Sequence, residues 1–187
     1  MDNTIEIAIL RWWQSMFLPT EQLREKGIIP APSAHKAKLK RCENIDTVML
    51  SDGFRALWLS LPESLITTAK PEKIECFAAI AAALVQVKNN NKDKLAAIAG
   101  KKTEGEKSVV SELRFSQLQN AKTPDDFVRR LRRILQQVKG EASVIALAED
   151  IERWFAEHYG TQPNQPSKRV SVQWAMDYYR AAATNSK

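Results

Sequence analysis

The chain has 187 residues, of which 44% are hydrophobic and 27% charged, which is the composition of a globular protein with a sizeable core. Its formal net charge of +6 suits a nucleic-acid or anionic-surface partner. Few glycines and abundant alanine, leucine, lysine and glutamate favour helix over sheet. No run reaches the ~18 apolar residues of a membrane span. Because the first apolar stretch carries Glu6 and Arg11, it is no signal peptide, and we expect a cytoplasmic protein.

The N-terminal segment predicts an amphipathic helix. Its apolar residues recur with helical spacing at Ile5, Ala8, Ile9, Trp12, Trp13 and Met16. Since both tryptophans fall on this stripe, we favour core packing over base stacking for the pair.

A basic segment, Ala34–Cys42, follows prolines at positions 30 and 32. It contains four cations and no acid, namely Lys36, Lys38, Lys40 and Arg41. His35 lies among these lysines, where we expect no catalytic role. Cys42 and Cys76 lack metal-ligand spacing, so they are interpreted as small core residues in a reducing compartment.

Short helices are expected in the middle of the chain. Asp46–Leu61 is interpreted as one or two of them, and Pro71 suits the first turn of the next, more apolar helix. Three asparagines, at 89–91, are expected to end that helix.

A lysine-rich stretch, 92–107, contains a short apolar helix at Leu95–Ala99. Gly100–Glu106 is the best candidate for a loop and a domain boundary. We therefore expect two helical subdomains, residues 1–100 and 101–187.

The strongest functional signal is a helix with four arginines. Thr123 predicts its N-cap and Pro124 its first turn, with Asp125 and Asp126 explained by the helix dipole. Its apolar stripe consists of Phe127, Leu131, Ile134, Leu135 and Val138. Gly140 is expected to end the helix.

The arginines of this helix are expected on its solvent side. At about 100° per residue, Arg129, Arg132 and Arg133 point away from the apolar stripe. Arg130 lies on its flank, and of the four it is the one that we expect to pair with a neighbouring helix. With Lys139 they make five positive charges, and no acid follows before the helix ends. This imbalance favours a polyanion-binding surface over a merely solvated face.

The remaining segments also predict helices. One is expected near Lys107–Leu118, one over 144–155 and a last one over Val170–Ala183. No strand-like alternation of useful length occurs. The chain is therefore predicted to be all-α, a helical bundle protein of about eight or nine helices.

Motifs for catalysis are missing from the sequence. It has no phosphate-cradling glycine-rich loop, no nucleophile motif and no histidine–carboxylate cluster with metal spacing. His158 closes a helix, where a cation suits the dipole. Glu149 and Asp150 diverge by about 100° on one helix, so they would not bind one ion. We therefore expect that the chain is not an enzyme and that it binds neither a cofactor nor a metal.

Three motifs resemble the small-subunit family, CasB, of the type I-E CRISPR surveillance complex, Cascade. They are Glu112-Leu113-Arg114-Phe115 with Gln117-Leu118, Asp126-Phe127 with Arg130-Leu131-Arg132-Arg133, and Leu147-Ala148-Glu149-Asp150-Ile151 with Trp154. Weaker agreement covers Trp12-Trp13, Leu39-Lys40-Arg41 and the run from Phe54 through Leu57 to Leu61-Pro62. Lys40 stands where the family more often has arginine. The Tyr159–Lys187 tail matches no motif.

The resemblance implies an all-helical, non-enzymatic subunit of two helical subdomains. It implies a homodimer within the complex, with the backbone and large subunits, the crRNA and the target DNA as partners. Such a subunit would stabilise the R-loop by sequence-independent backbone contacts to the displaced DNA strand and to the crRNA–target duplex, in antiviral defence.

Twelve residues are the candidates for nucleic-acid contact. They are Lys36, Lys38, Lys40, Arg41, Lys101, Lys102, Arg114, Arg129, Arg130, Arg132, Arg133 and Lys139. An ion pair of Arg114 with Glu149 or Asp150 is the structural alternative for that residue. Two other functions stay open for the chain: a helical adaptor for acidic proteins, and an anionic-membrane-surface protein, which the dispersal of the basic segments disfavours.

Overall fold

The computed structural model describes residues 1–184. These residues form twelve α-helices, one 3₁₀ turn and two strands of two residues each, which confirms the predicted all-α class. The helix count exceeds the eight or nine expected. The excess comes from short helices of five to seven residues, which are too short to display an apolar period.

The chain divides into two compact units, of which the first spans Met1–Val85. Its helices are α1 (Asn3–Phe17), α2 (Thr20–Glu25), α3 (Ser33–Arg41), α4 (Ile45–Met49), α5 (Asp52–Trp58), α6 (Glu63–Thr68) and α7 (Pro71–Leu84). Every residue of α7 from Cys76 to Leu84 is buried, because α3, α4 and α5 pack around it. Its alanines leave room for this close approach. Pro71 is its first residue, as predicted.

The tryptophan pair of α1 lies in the core of this unit, as predicted. Trp12 and Trp13 are both buried, and Trp12 Nε1 donates to the Gly53 carbonyl at 2.9 Å. Gly53 is required where α5 meets α3, since a Cβ there would lie 2.6 Å from Leu39 Cδ1. Cys42 and Cys76 are free and buried.

The second unit spans Gln86–Lys187, of which residues 86–184 are described. Its elements are β1 (Asn89–Asn90), α8 (Leu95–Gly100), α9 (Glu112–Gln119), α10 (Pro124–Gln137), β2 (Glu141–Ala142), α11 (Val144–His158), a 3₁₀ turn (Pro166–Lys168) and α12 (Val170–Thr184). The break between the two units therefore falls between residues 85 and 86, whereas the sequence suggested a boundary after residue 100. The reason is that α8 packs on α12 so closely that a Cβ at Gly100 would lie 2.1 Å from the Tyr178 carbonyl oxygen.

Aromatic side chains build the core of the second unit. Phe127 of α10 stacks on Trp154 of α11 at 4.1 Å between ring centroids and lies 6.2 Å from Trp174 of α12. Phe115 of α9 stacks on Tyr178 at 4.7 Å. Helices α9 to α12 therefore share one packed interior, which fixes the orientation of α10.

The helix expected near Lys107–Leu118 begins only at Glu112. The preceding residues fold back on α8 instead, with Val109 N donating to the Lys101 carbonyl at 2.9 Å. Val110 is fully buried, and its carbonyl accepts a hydrogen bond from Tyr178 Oη at 2.6 Å. These backbone hydrogen bonds use the groups that an earlier helical turn would need.

A clasp of two short parallel strands joins distant parts of the second unit. β1 pairs with β2 in the register Asn89↔Glu141 and Asn90↔Ala142. The Glu141 carboxylate accepts from the side-chain amides of Asn89 and Asn91, at 3.1 Å from the latter. The asparagines therefore do more than end a helix, which is what the sequence suggested. Gly140 is required beside them, since its φ is +80° and a Cβ would lie 2.7 Å from the Gln86 carbonyl oxygen.

Candidate nucleic-acid interface

The apolar side of α10 is buried as its periodicity predicted. Its stripe residues are at most 3% exposed: Phe127, Leu131, Ile134, Leu135 and Val138. The Thr123 side chain caps the helix by accepting from Asp126 N at 3.2 Å, and Pro124 opens the first turn. With one face fixed in the core, the arginines are presented from a defined rotation of the helix.

Asp126 neutralises part of the arginine face. One oxygen of its carboxylate, Oδ1, accepts from Arg129 Nη2 at 2.6 Å and from Arg130 Nε at 2.8 Å. The expectation of five uncompensated charges is therefore wrong for two of them. Residues three and four positions apart share a helix face, and the run of cations after Val128 left this first-turn acid out of account.

Arg130 ties α10 to α9. Besides its bond to Asp126, its Nη1 donates to the Gln117 carbonyl at 2.6 Å, and the side chain is only 29% exposed. Arg130 thus makes the contact with a neighbouring helix that its flanking position predicted. Arg130 therefore pairs with Asp126 within α10 and also holds the C-terminal half of α9 against α10.

A cleft of about 450 Å³ lies between α9 and α10. Its lining residues are Arg114, Gln117, Arg130, Arg133, Ile134, Gln136 and Gln137. Arg114 and Arg133 are exposed, and within residues 1–184 neither forms an ion pair. Two unpaired guanidiniums from different helices therefore face one concave surface.

One of the two alternative ion-pair partners for Arg114, Asp150, is engaged elsewhere. Asp150 is 2% exposed, and its carboxylate accepts from Arg153 and, at 2.8 Å, from Trp174 Nε1. Its role is to satisfy a buried indole N–H in the core of α11 and α12. Arg114 remains available to solvent.

The other candidates of the second unit are placed in different surroundings. Lys101 pairs with Asp93 at 2.6 Å, and Lys102 lies in the folded-back segment, bridged to Ser108. Arg132 is half-buried on α10. Lys139 is exposed just beyond the helix end and has a φ of +57°, the left-handed conformation of a helix C-terminus. The structure thus brings Arg114, Arg130 and Arg133 together, but not the two lysines of the loop.

The basic residues of α3 belong to the first unit. Lys36 is half-buried, with Nζ 4.1 Å from the centroid of the Phe17 ring and 3.4 Å from the Met16 carbonyl oxygen. The other three are exposed: Lys38, Lys40 and Arg41. Lys36 therefore serves packing of α3 on α1 as much as it serves charge.

Other chemistry finds little support in the described residues. Over positions 1–184, no group of three or more histidine, cysteine, aspartate or glutamate side chains could bind a metal ion. His158 stacks on Trp154 at 4.9 Å, which gives it a packing role. None of the helices described is long and apolar enough to cross a membrane.

The Asp126 cluster predicts an acid-sensitive contribution to stability. The side-chain hydrogen bond from Arg130 is the main cause that lowers the pKa of Asp126 from its ordinary value of 3.8. A lowered folded-state pKa stabilises the fold above the unfolded value, and this stabilisation is lost as pH falls through the folded-state pKa. Asp126→Asn should therefore lower the Tm at neutral pH, by an amount corresponding to about 0.5 kcal/mol for such exposed helix pairs.

The check is a thermal melt of the wild type and Asp126→Asn from pH 7 down to pH 2. The Tm difference should be constant above about pH 5, where the carboxyl is ionised in both the folded and the unfolded state, and should shrink toward the acid end. Asp46→Asn is the matched control, since it removes an exposed first-turn carboxylate from another helix, α4. A Tm difference that persists unchanged at pH 2 would contradict the assignment.

Residues 35–179 match the family model of CRISPR-associated protein Cse2. The chain belongs to the Cse2 family. This confirms the resemblance found in its motifs, because Cse2 and CasB denote the same small-subunit family. The match extends past Tyr159, into a tail where no motif was recognised, and it includes α9, α10 and α11 entirely.

The Cse2 fold is also found in a known complex. A chain in the crystal structure of E. coli Cascade bound to a PAM-containing dsDNA target matches with a TM-score of 0.63. The match covers 98% of this chain and 100% of that one, at 18% sequence identity. Among curated protein sequences, none matches this chain.

Proposed function

We propose that this Cse2-family chain is a non-catalytic, nucleic-acid-binding subunit of a Cascade-type complex in the cytoplasm. It would stabilise the R-loop by contacting the sugar–phosphate backbone of the displaced DNA strand and of the crRNA–target duplex. The observation that carries the proposal is the α9–α10 cleft, where Arg114 and Arg133 face one surface and form no ion pair with any residue from 1 to 184. Cse2 membership and the fold shared with a chain of a DNA-bound Cascade support it.

Backbone contact suits the chemistry of this surface. Guanidinium groups bind phosphate bidentately and keep their charge at any physiological pH. R-loop formation exchanges one duplex for another of similar stability, so a few phosphate contacts are enough to shift the balance. The residues proposed to contact nucleic acid are the twelve cations predicted from the sequence, with Arg114 and Arg133 at the centre and Arg130 as their support.

The proposal includes the partners of such a subunit. These are the backbone and large subunits of Cascade, the crRNA, the target DNA and a second copy of the chain. The exposed cations of α3 in the first unit, such as Lys38 and Arg41, would provide phosphate contacts of their own.

Binding of the isolated chain to nucleic acid is the first test. If about five phosphates are engaged, log K for a single strand should fall with log salt at a slope near −3.5. A titration with an oligonucleotide at several salt concentrations measures this slope, and binding should show no sequence preference. Salt-independent binding would contradict a backbone-directed role.

Assembly is the second part of the same test. Co-expression with the other Cascade subunits should yield a complex that contains this chain and crRNA. Omission of the chain should shorten the lifetime of the R-loop on target DNA. Retention of an acidic protein partner without any affinity for nucleic acid would instead favour the helical-adaptor alternative.

A further inference from the structure

The α9–α10 cleft has features that phosphate binding alone does not require. We infer that it accommodates one unpaired nucleotide, with the phosphate between Arg114 and Arg133 and the base at the glutamine side chains. The inference rests on the proposed function and specifies what this site binds. It separates the cleft from the remaining cations, which would act as unspecific charge.

The first argument is that the three arginines of the cleft differ in their contacts. Arg130 is committed to Asp126 and to the Gln117 carbonyl, so it forms the wall rather than the binding group. Arg114 comes from α9 and Arg133 from α10, and both are without ion pairs in the described part of the chain. Two guanidiniums on opposite walls suit a phosphate at the rim, where it is bound from two sides.

The second argument is the rest of the lining. Gln117 and Gln136 are exposed at the cleft, and each side-chain amide offers donors and an acceptor. Such amides can pair with the edge of any base, because every base edge displays donors or acceptors. Ile134, which is 2% exposed, closes the floor with apolar surface. A site for phosphate alone would need neither the amides nor the apolar floor.

The third argument is size and access. The volume of about 450 Å³ falls in the range of small-ligand sites. A paired base in a duplex would have to leave its stack to enter, which costs a few kcal/mol, whereas an unpaired base is free to enter. No aromatic ring lines the cleft, so the base would be held by its edge rather than by stacking.

The test compares two single strands of the same length, oligo-dT and an abasic strand, which have identical phosphates. Wild-type full-length protein should bind oligo-dT about fivefold more tightly, the effect of one net hydrogen bond. The triple change Gln117→Ala, Gln136→Ala and Gln137→Ala removes every glutamine that lines the cleft, so it should bring the ratio to about one and leave the salt slope unchanged. The matched control is the triple change Gln162→Ala, Asn164→Ala and Gln165→Ala, since it removes three exposed amides outside the cleft.

The arginine variants provide the complementary measurement. Arg114→Gln with Arg133→Gln should flatten the salt slope on both strands by about 1.4 units, as two phosphate contacts are lost. The Tm should stay the same, because neither side chain forms an ion pair in residues 1–184. A fall of many degrees would show that these arginines are structural and would overturn the inference.

Failure of the inference and failure of the proposed function give different results. If both strands bind with equal affinity and a steep salt slope, the chain binds phosphates only, so the nucleotide site is wrong and the proposed function stands. A base preference that survives removal of all three glutamines also overturns the site. If neither strand binds and the chain does not assemble with crRNA, both are wrong.

Discussion

Replacement of Arg129, Arg132 and Arg133 by alanine should abolish most of the nucleic-acid affinity that α10 supplies. Three lost phosphate contacts would flatten the single-strand salt slope by about two units. The helix should persist, because alanine is a strong helix former and none of the three belongs to the buried stripe. The same change should shorten the lifetime of the R-loop in the assembled complex.

The structure distributes this effect unequally among the three positions. Arg129 must leave Asp126 before it binds a phosphate, whereas Arg133 has no ion pair to break within the described residues. Arg133→Ala alone should therefore weaken binding more than Arg129→Ala alone. Circular dichroism and a strand-binding titration on the same preparation give both readouts.

The control for the triple variant removes the same charge from elsewhere. Arg24, Lys70 and Arg180 are exposed and lie outside the twelve proposed contacts. Their replacement by alanine lowers the net charge equally, so it measures the effect of charge alone. Equal loss of binding in both triple variants would mean that α10 contributes only through net charge, and unchanged binding with unchanged helicity would leave α10 as solvated surface.

The second large effect is expected at Gly100, where α8 meets α12. A Cβ there would lie 2.1 Å from the Tyr178 carbonyl oxygen and 3.0 Å from its Cα, and backbone atoms cannot rotate away. Gly100→Ala should therefore separate the two helices and destabilise the second unit by about 1–3 kcal/mol. For a chain of this size, each kcal/mol lowers the Tm by about 2–4 °C.

Gly105→Ala is the matched control for this change. Position 105 has no neighbouring atom within 4 Å of the added Cβ, so the same substitution should leave the Tm nearly unchanged. Alanine is a better helix former than glycine by about 1 kcal/mol. If the packing against α12 had no effect, Gly100→Ala would therefore stabilise α8, which makes the contrast between the two variants informative. A Gly100→Ala variant as stable as the wild type would show that α8 and α12 do not approach as described.

Long helices were predictable because their buried faces repeat. The stripe from Phe127 to Val138 and the position of Trp12 and Trp13 followed from a period of 3.6 residues alone. The segment before Glu112 did not, since its fold depends on backbone bonds to α8 and on burial of Val110. The boundary between the two units could not be located from the sequence for the same reason. A close contact between Gly100 and Tyr178, which are distant in sequence, assigns α8 to the second unit.

The charged residues of the candidate site could be predicted from the sequence, but the contacts that they make could not. The sequence placed the arginines on one helix, and the spacing of Asp126 before Arg129 and Arg130 allows both ion pairs, but only the structure shows that one carboxylate oxygen accepts from both. The contribution of Gln117 and Gln136 has no signature in the sequence, because isolated glutamines on a helix surface are common. Only the packing of α9 against α10 reveals that they share a cleft with Arg114.

The clasp between β1 and β2 has a consequence for the order of folding. It joins Asn89 to Glu141 across 52 positions, whereas the bond of Arg130 to Gln117 spans 13. Two doublings of loop length add about 1.2 kcal/mol of closure entropy, and contacts between near neighbours form first. We therefore expect the α9–α10 hairpin with its cleft to form from local contacts first, and the clasp to close afterwards around a surface whose shape is already set.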